Sequence, residues 1–295
     1  MSRAFATALA LSLGACGAAD PEPSNPAAEY APTGHTVEVD LEIEEIDWEV
    51  APGAIYGAVA YNRSVPGPII EATAGDRIRI RLTNRTGTPR SIHTHVVHFT
   101  ENSDGTKKGV AQPGETITVE WEAVHPGTFP YHDHAGHGEA EGMAAGLIGA
   151  LVVHDPKAPA AQVENVVVLS DLDMSRFKTL PPMDHASGDG GHHFMHVING
   201  RAYEQWVPTF GAKVGDRVRW RVLSLGTEFH TFHVHGHRWV GADGVLTDNI
   251  NLGPGTYATF DWVEDNPGSW LYHCHVPSHM EGGMVGLYLV EPAGP

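Results

Sequence analysis

The chain has 295 residues, of which 41% are hydrophobic and 18% are charged, and its formal net charge at pH 7 is −18. That length suits two globular domains of ordinary size. The strong negative charge argues against nucleic acid or an anionic membrane surface as a partner. The longest apolar run, Ala4–Ala15, is shorter than the roughly 20 residues of a membrane-spanning helix, so no such helix is predicted.

Residues 1–16 have the pattern of an export signal. Arg3 precedes the apolar stretch Ala4–Leu13, and the segment ends in Leu-Gly-Ala-Cys at Cys16. That ending resembles the bacterial lipoprotein box, whose cysteine becomes a lipid-bearing first residue, and an ordinary signal peptide is the alternative. Residues 17–35, rich in Pro, Ala and Glu, predict a flexible linker. Both alternatives predict a bacterial protein that is exported, either periplasmic or anchored to the membrane at Cys16.

An internal repeat organises the remainder of the chain. Ala74–Leu82 and Val214–Val222, 140 residues apart, each contain a turn followed by alternating apolar and charged residues. This alternation is typical of a half-buried strand. A His-x-His pair follows each segment at the same offset, and a Tyr-His-x-His segment follows at an offset of 141, at Tyr131 and at Tyr272. The two halves are therefore predicted to be duplicated domains.

The fold class follows from many short runs of β-branched and aromatic residues separated by Gly and Pro turns, with no helical periodicity. This pattern predicts an all-β protein with one Greek-key sandwich per half. The predicted domains are 36–157 and 158–295, with the boundary near 155–162, where Pro and Ala cluster. The runs that carry the prediction are Glu115–Trp121, Leu147–His154, Tyr257–Val263 and Val285–Val290.

Histidine is in large excess, with 20 residues, and half of them fall in four short clusters. Imidazole and thiolate are ligands that select copper over hard cations such as magnesium or calcium. Only two cysteines occur, so if Cys16 is lipidated or removed, Cys274 has no disulfide partner. The clusters are His93-x-His95, His132-x-His134, His230-x-x-His233-x-His235, and His273-Cys274-His275 followed by His279 and Met284.

Strand geometry divides these donors between two sites. On a strand, alternate side chains share a face, so His273 and His275 should point one way and Cys274 the other. Two imidazoles, a thiolate and a distant methionine are the ligand set of a blue electron-transfer copper, also called type 1. The candidate ligands of this site are His230, Cys274, His279 and Met284. Eight imidazoles remain, too many for one copper and suited to three: His93, His95, His132, His134, His233, His235, His273 and His275.

The four clusters resemble, in order and spacing, the copper signatures of multicopper oxidases, and the layout is similar to that of their small, two-domain, laccase-like bacterial members. The resemblance spans residues 36–291, and His-Cys-His-x3-His-x4-Met is its most specific motif. It implies two cupredoxin-like domains and four copper ions, with the blue copper in the second domain. It also implies a homotrimer in which each three-copper cluster lies between domain 1 of one subunit and domain 2 of the next.

The same resemblance divides the eight imidazoles among the three clustered copper ions. The type 2 copper would be bound by His93 and His233. The type 3 pair would be bound by His95, His132, His134, His235, His273 and His275.

The repeat also shows what the first half lacks. By the same offsets, Cys274 corresponds to Asp133 and His230 to Arg90, while His279 corresponds to Gly138. Only Met143, the counterpart of Met284, is retained. The first domain is therefore predicted to hold no blue copper. This argues against the related two-domain copper nitrite reductases, which keep their blue-copper cysteine in the first domain.

The implied reaction is a one-electron oxidation at the blue copper, with electrons passing through Cys274 and a neighbouring histidine to the cluster, where four of them reduce dioxygen to two waters. Asp104 is a candidate proton donor, and a solvated turn residue is the alternative reading. His98, His137 and His237 lie close to the predicted ligands but outside the signatures, so they are expected to be supporting or surface groups.

The substrate is left open by the sequence. Phenols or aromatic amines are what the resemblance implies, and cuprous or ferrous ions are the main rival. An irregular stretch, Pro181–His196, is expected to be an exposed loop, and its thioethers and imidazoles would favour Cu(I). Nitrite reduction and a non-catalytic periplasmic copper carrier are the remaining hypotheses. The candidate Cu(I) donors of the loop are Met183, His185, His192, His193, Met195 and His196.

Overall fold

The structure is a computed structural model that describes residues 30–135, 138–180 and 193–294. The proposed signal segment with Cys16, most of the proposed linker, His137 and loop residues 181–192 lie outside the described residues.

Among its described residues, the first half contains ten strands, the short helix α1 (Glu139–Ala145) and a 3-10 turn at Glu101–Ser103. The strands are β1 (Thr36–Ala51), β2 (Ala54–Tyr61), β3 (Ile70–Thr73), β4 (Arg77–Asn84), β5 (Arg90–Ser91), β6 (His93–Thr94), β7 (Val110–Ala111), β8 (Thr116–Glu122), β9 (Gly127–His132) and β10 (Ile148–His154).

The described part of the second half, which excludes residues 181–192, contains twelve strands, the helix α2 (Pro277–Glu281) and a 3-10 turn at Met174–Arg176. The strands are β11 (Val163–Asp173), β12 (Phe177–Thr179), β13 (Phe194–Ile198), β14 (Phe210–Lys213), β15 (Arg217–Ser224), β16 (His230–Val234), β17 (Trp239–Val240), β18 (Leu246–Thr247), β19 (Asn249–Leu252), β20 (Tyr257–Val263), β21 (Gly268–His273) and β22 (Val285–Glu291).

The two halves have the same sheet topology. One sheet of the first half has the order β2-β1-β4-β8, and its counterpart in the second half has the order β13-β11-β15-β20. The other sheets have the orders β3-β10-β9-β6 and β14-β22-β21-β16, the latter extended by β19. Both halves contain the same parallel pairs, β1 with β4 and β11 with β15. The all-β prediction is confirmed, and the duplication predicted from the repeat is visible strand by strand.

Burial follows the alternation read from the sequence. In β4 the residues Ile78, Ile80 and Leu82 are fully buried, whereas the arginines between them face outward. In β15 the alternation fails at Arg221, which is 3% exposed. Its guanidinium donates to Glu164 at 2.7 Å and, across the boundary between the halves, to Thr128 at 2.8 Å. Arg221 can be buried because Glu164 and Thr128 pair with its guanidinium, and a buried cation needs such partners.

The halves are joined by more than a surface contact. Strand β12, which follows the predicted boundary, pairs with β2 and becomes the edge of the first half's sheet. A buried apolar cluster also joins Met143 and Ile148 of the first half to Leu223 and Leu225 of the second. The strand crossing and the shared cluster together fix one half against the other.

One sequence expectation is wrong. The stretch ending at His196 is not an exposed loop at its C-terminal end, because Phe194–Ile198 forms β13, in which Met195 is 5% and His196 is 8% exposed. Strand β13 pairs with β11, and there Asp171 accepts a hydrogen bond from His196. That partner lets a polar ring be buried within a strand.

Among the residues that the structure describes, none of the helices has the length and apolar character to cross a membrane.

Candidate metal centre

The donors of the predicted blue-copper site converge in the second half. The Sγ of Cys274 lies 3.8 Å from Nδ1 of His230 and 3.7 Å from Nδ1 of His279, and the two Nδ1 atoms are 3.2 Å apart. Cys274, His230 and Met284 are fully buried, and His279 is 8% exposed. The backbone N–H of Cys274 donates to the carbonyl of Met284 at 3.2 Å, so these two donor residues are neighbours.

Three elements deliver these side chains. His230 opens β16, and Cys274 follows directly after the end of β21. His279 lies on α2, which begins at Pro277, a residue suited to the first position of a helix because its missing N–H would be unpaired there. The backbone N–H of Thr231 points at the Cys274 sulfur at 3.4 Å. The site therefore combines a strand, a strand end and a helix brought together from distant parts of the sequence.

The electrostatics of this site favour a thiolate. Burial raises the pKa of Cys274, but the contacts with His230, His279 and the Thr231 N–H outweigh it and lower the pKa to about 5. Burial lowers the pKa of His230, while Asp171 and Cys274 raise it more strongly, to about 9. The sulfur is therefore held in the anionic form that binds metal.

The four imidazoles of the first half form one group, here called the first-half set: His93, His95, His132 and His134. His93 on β6 lies directly opposite His132 on β9. Ring centroids in the set are 4.7–5.6 Å apart, and Nε2 of His132 faces Nε2 of His95 at 3.3 Å. Burial and the neighbouring rings lower the pKa of His132 to about 3.

The second-half set repeats this arrangement with His233, His235, His273 and His275. His233 on β16 pairs with His273 on β21, and Nε2 of His235 faces Nε2 of His273 at 3.0 Å. Burial lowers the pKa of His273 to about 4 despite the opposing contact with the carbonyl of Cys274. As expected from alternation, the rings of His273 and His275 point together, while Cys274 between them points to the thiolate site.

The two imidazole sets are separate within one chain. In the described part of the chain, every ring contact of a predicted cluster histidine with another such histidine stays within its own set. His275 is exposed, and His93, His95, His134, His233 and His235 are partly exposed. Each set is therefore partly accessible to solvent.

A backbone carbonyl orients one ring of each set in the same way. Nδ1 of His93 lies 2.7 Å from the carbonyl oxygen of Asp104, and Nδ1 of His233 lies 2.6 Å from that of Asp248. Beside Asp104, Gly105 has φ of 80°, and a Cβ there would lie 2.5 Å from the carbonyl oxygen of Ile92. The turn can therefore pack this closely beneath His93 only when residue 105 is glycine. The Asp104 carboxylate itself lies 3.5 Å from His93 Nδ1 and is partly exposed.

Two buried carboxylates near the donors were missed by sequence reasoning. Asp171 lies 3.0 Å from Nε2 of His230, at an angle outside hydrogen-bond geometry, and 2.7 Å from Nδ1 of His196. Glu264 contacts Nε2 of His237 at 2.9 Å, and Nδ1 of His237 contacts the carbonyl of His235. His237 is therefore a buried supporting residue, whereas His98 is exposed beside Glu122.

In the first half, a buried ion pair occupies the place of the thiolate site. Arg90 donates to Asp133 at 2.9 Å, and both side chains are at most 5% exposed. The surroundings of the pair resemble those of the thiolate site. The backbone N–H of Ser91 donates to Asp133, and the backbone N–H of Thr231 points at Cys274 in the same way. This pair therefore occupies the position that a thiolate and an imidazole hold in the second half.

The donor atoms suit copper. A thiolate with two imidazole nitrogens within 3.8 Å is a soft set that selects copper. In each imidazole set, two nitrogens face each other at 3.3 Å or less, and a metal ion could accept the lone pairs of both. The lowered pKa values of His132 and His273 keep these rings neutral at pH 7, the form that binds metal.

Comparison with known proteins places the chain in a family. Two sequence-family models for multicopper oxidases match residues 42–158 and 176–294. A blue copper oxidase from Nitrosomonas europaea superimposes with a TM-score of 0.73 and 28% identity, over 88% of this chain and 86% of that one. The fold and donor sets define a copper protein of two cupredoxin-like domains. The chain belongs to the multicopper oxidase family, as a small two-domain member, which confirms the predicted fold class and resemblance.

Two curated relatives are longer proteins. The "probable nitrite reductase-hydroxylamine oxidoreductase fusion protein" of Kuenenia stuttgartiensis is 32% identical over 275 residues, which are 86% of this chain and 31% of that protein. Ceruloplasmin of Homo sapiens is 31% identical over 253 residues, 76% of this chain and 23% of that protein. This chain therefore spans less than a third of the length of either.

Replacing Arg90 by Ala should destabilise the first half strongly, because the Asp133 carboxylate would be buried without its cation. The expected loss is about 3–5 kcal/mol in the free energy of unfolding, measured by denaturant titration. The matched control is Arg79→Ala, which removes exposed pairs with Glu38 and Glu120 and should leave the unfolding midpoint nearly unchanged. Equal effects of the two substitutions would contradict the assignment of a buried pair.

The Cys274 thiolate of the copper-free protein should titrate with a midpoint near 5, seen in its ultraviolet absorbance. In denaturant the midpoint should return to about 8.5. Because folding lowers this pKa, the ionised sulfur stabilises the fold fully above the unfolded pKa, and that stabilisation is lost as the pH falls towards 5. Cys274→Ser is the control and should lack this absorbance change.

Proposed function

We propose that this protein is a copper-dependent oxidase that couples one-electron oxidation of a reducing substrate to the four-electron reduction of dioxygen to water. The observation that carries the proposal is the arrangement around Cys274. Its sulfur faces His230 and His279, while its two neighbours in the chain, His273 and His275, belong to the second-half imidazole set. One tripeptide therefore contributes donors to two separate sites.

The proposed ligand roles follow this geometry. We assign a blue copper to His230, Cys274, His279 and Met284, and a three-copper cluster to the two imidazole sets. Copper bound at these donors would supply one-electron redox chemistry. The chain supplies a short covalent path from the sulfur through the backbone of Cys274 to two imidazole donors, shortened further by the 2.8 Å contact between His273 Nδ1 and the Cys274 carbonyl.

We assign proton supply to a carboxylate beside the first-half set. Asp104 is the proposed donor because its carboxylate is partly exposed to solvent and lies 3.5 Å from Nδ1 of His93. A carboxylate in that position can exchange protons with water on one side and act beside the cluster on the other.

For the reductant, we propose phenols or aromatic amines, a laccase-type activity. Oxidation of cuprous or ferrous ions is the alternative. The structure weakens one argument for it, since Met195 and His196 are buried and His196 is bonded to Asp171. Two of the thioether and imidazole groups that favoured a Cu(I) loop are therefore not free to bind an incoming ion.

Nitrite reduction is a second candidate, because a relative with 32% identity is named as a probable nitrite reductase fusion protein. The first half of this chain, however, carries Asp133 paired with Arg90 where a blue-copper cysteine would stand. A non-catalytic copper carrier is less well supported, since a carrier has no use for eight further imidazoles in two sets.

We propose that the active unit is a homotrimer. The support is the separation of the two imidazole sets within one chain and their partial exposure. A cluster needs donors from both sets, and a neighbouring subunit can bring its second-half set onto the first-half set of this one. In a closed ring of three, every such interface is the same.

We also propose that the protein is exported, on the basis of the signal-like residues 1–16, and retained at the membrane by a lipid on Cys16. A periplasmic or membrane-anchored location would supply the oxidising compartment in which the unpaired Cys274 is protected by its metal.

Copper-loaded protein should show a strong thiolate-to-copper absorption band at about 600 nm. It should also consume dioxygen when a phenolic dye is supplied as the reducing substrate. Cys274→Ser should abolish the band and the turnover while the imidazole sets still bind copper, because only the thiolate site is removed. Uptake should be measured with the dye, with Cu(I) and with nitrite as an alternative acceptor. A blue protein that reduces nitrite but consumes no dioxygen would replace the oxidase proposal with nitrite reduction.

Subunit sharing can be tested by complementation. His93→Ala damages only the first-half set and His233→Ala only the second-half set, so each variant alone should be inactive. An equimolar mixture of the two variants should regain about a quarter of wild-type activity, because random assembly pairs two intact sets at about a quarter of all interfaces. Complete inactivity of the mixture, after sedimentation has shown that the subunits exchange, would mean that each cluster forms within one chain.

A further inference from the structure

A buried carboxylate and a buried imidazole lie behind the thiolate site, outside the ligand set assigned above. Asp171 on β11 is 1% exposed and His196 on β13 is 8% exposed. They lie opposite each other in the β11–β13 ladder, and Asp171 Oδ1 is 2.7 Å from His196 Nδ1. We call these two residues the Asp171–His196 dyad.

The dyad contacts both imidazoles of the thiolate site. Asp171 Oδ1 lies 3.0 Å from Nε2 of His230, the ring nitrogen opposite the one that faces the sulfur. The ring of His196 stacks on that of His279, with centroids 3.6 Å apart and planes inclined by 23°. His230 is thus contacted by a carboxylate at the nitrogen opposite Cys274, and His279 is contacted by a stacked ring.

The carboxylate is itself held in place. The backbone N–H groups of Thr227 and Glu228 both donate to Asp171 Oδ2 at 2.8 Å. The preceding residue is Gly226, where a Cβ would lie 2.1 Å from the same oxygen. The chain before β16 is therefore shaped around this carboxylate, which would not be required if Asp171 were an incidental buried acid.

The duplicated half provides an internal comparison. Asp171 and His196 occupy ladder positions that correspond to Glu45 and Val59, which also lie opposite each other. Glu45 is exposed and Val59 is an apolar core residue. At these two ladder positions, the half with Arg90 and Asp133 in place of the thiolate site thus has no counterpart of the dyad. Both halves share the sandwich scaffold, and of the two compared positions only those in the half with the thiolate donors carry the dyad.

We propose that Asp171 and His196 are positioning residues that orient His230 and His279 before metal binds and set the reduction potential of the bound copper. This inference rests on the proposed blue-copper site. A carboxylate beside one imidazole favours the more positively charged, oxidised metal, so Asp171 lowers the reduction potential. The stacked ring of His196 limits rotation of His279 and keeps its nitrogen directed at the sulfur.

The test uses the full-length copper protein and its metal-free form. Asp171→Asn should raise the reduction potential of the blue site, because a negative charge is removed. It should also weaken Co(II) binding to the metal-free protein by about tenfold or more, followed by the thiolate-to-cobalt charge-transfer band, because the ligands lose their orientation. Glu45→Gln changes the corresponding carboxylate in the first half and should alter neither quantity.

A second pair of variants keeps the test decisive if Asp171→Asn does not fold. His196→Ala should weaken Co(II) binding and shift the blue band, whereas Val59→Ala, which makes a cavity at the corresponding rung, should do neither. Unchanged potential, Co(II) affinity and band in a folded Asp171→Asn or His196→Ala protein would overturn the dyad alone. A wild-type protein without a blue band would overturn the proposed function and the dyad with it.

Discussion

The register at the end of β21 is the constraint on which the rest of the metal centre depends. His273, Cys274 and His275 send their side chains alternately to two sides, so the pairing of β21 decides which site receives which donor. A slip of one residue would exchange sulfur for imidazole in both sites. The pairing of Tyr272 with Gly286 opposes such a slip, since a Cβ at Gly286 would lie 2.4 Å from the Tyr272 ring.

Much of the fold and the grouping of the donors could be predicted because both depend on local patterns. The strand predicted at Tyr257–Val263 has the same bounds in the structure, and Leu147–His154 differs by one residue. The His-x-His spacing was sufficient to predict which imidazoles share a face. Such features are readable because alternation and turn residues act over a few positions along the chain.

Features that depend on pairing between distant strands could not be predicted. Asp171 has no motif around it, and its role appears only when β11 lies beside β13 and the chain before β16 closes over its carboxylate. The sequence predicts a loop at His196 because its neighbours in sequence are irregular. Strand β12 was likewise unexpected, since its partner β2 is more than a hundred residues earlier in the chain.

The ion pair between Arg90 and Asp133 has a consequence for how this family member could change over time. Replacing Asp133 by cysteine alone would remove the buried carboxylate that faces Arg90 and leave the partly exposed Glu141, at 3.1 Å, as the remaining carboxylate partner of its guanidinium. Replacing Arg90 by histidine alone would leave the fully buried Asp133 carboxylate without the guanidinium that faces it. A thiolate site could therefore form in the first half only if both residues of the buried pair changed together.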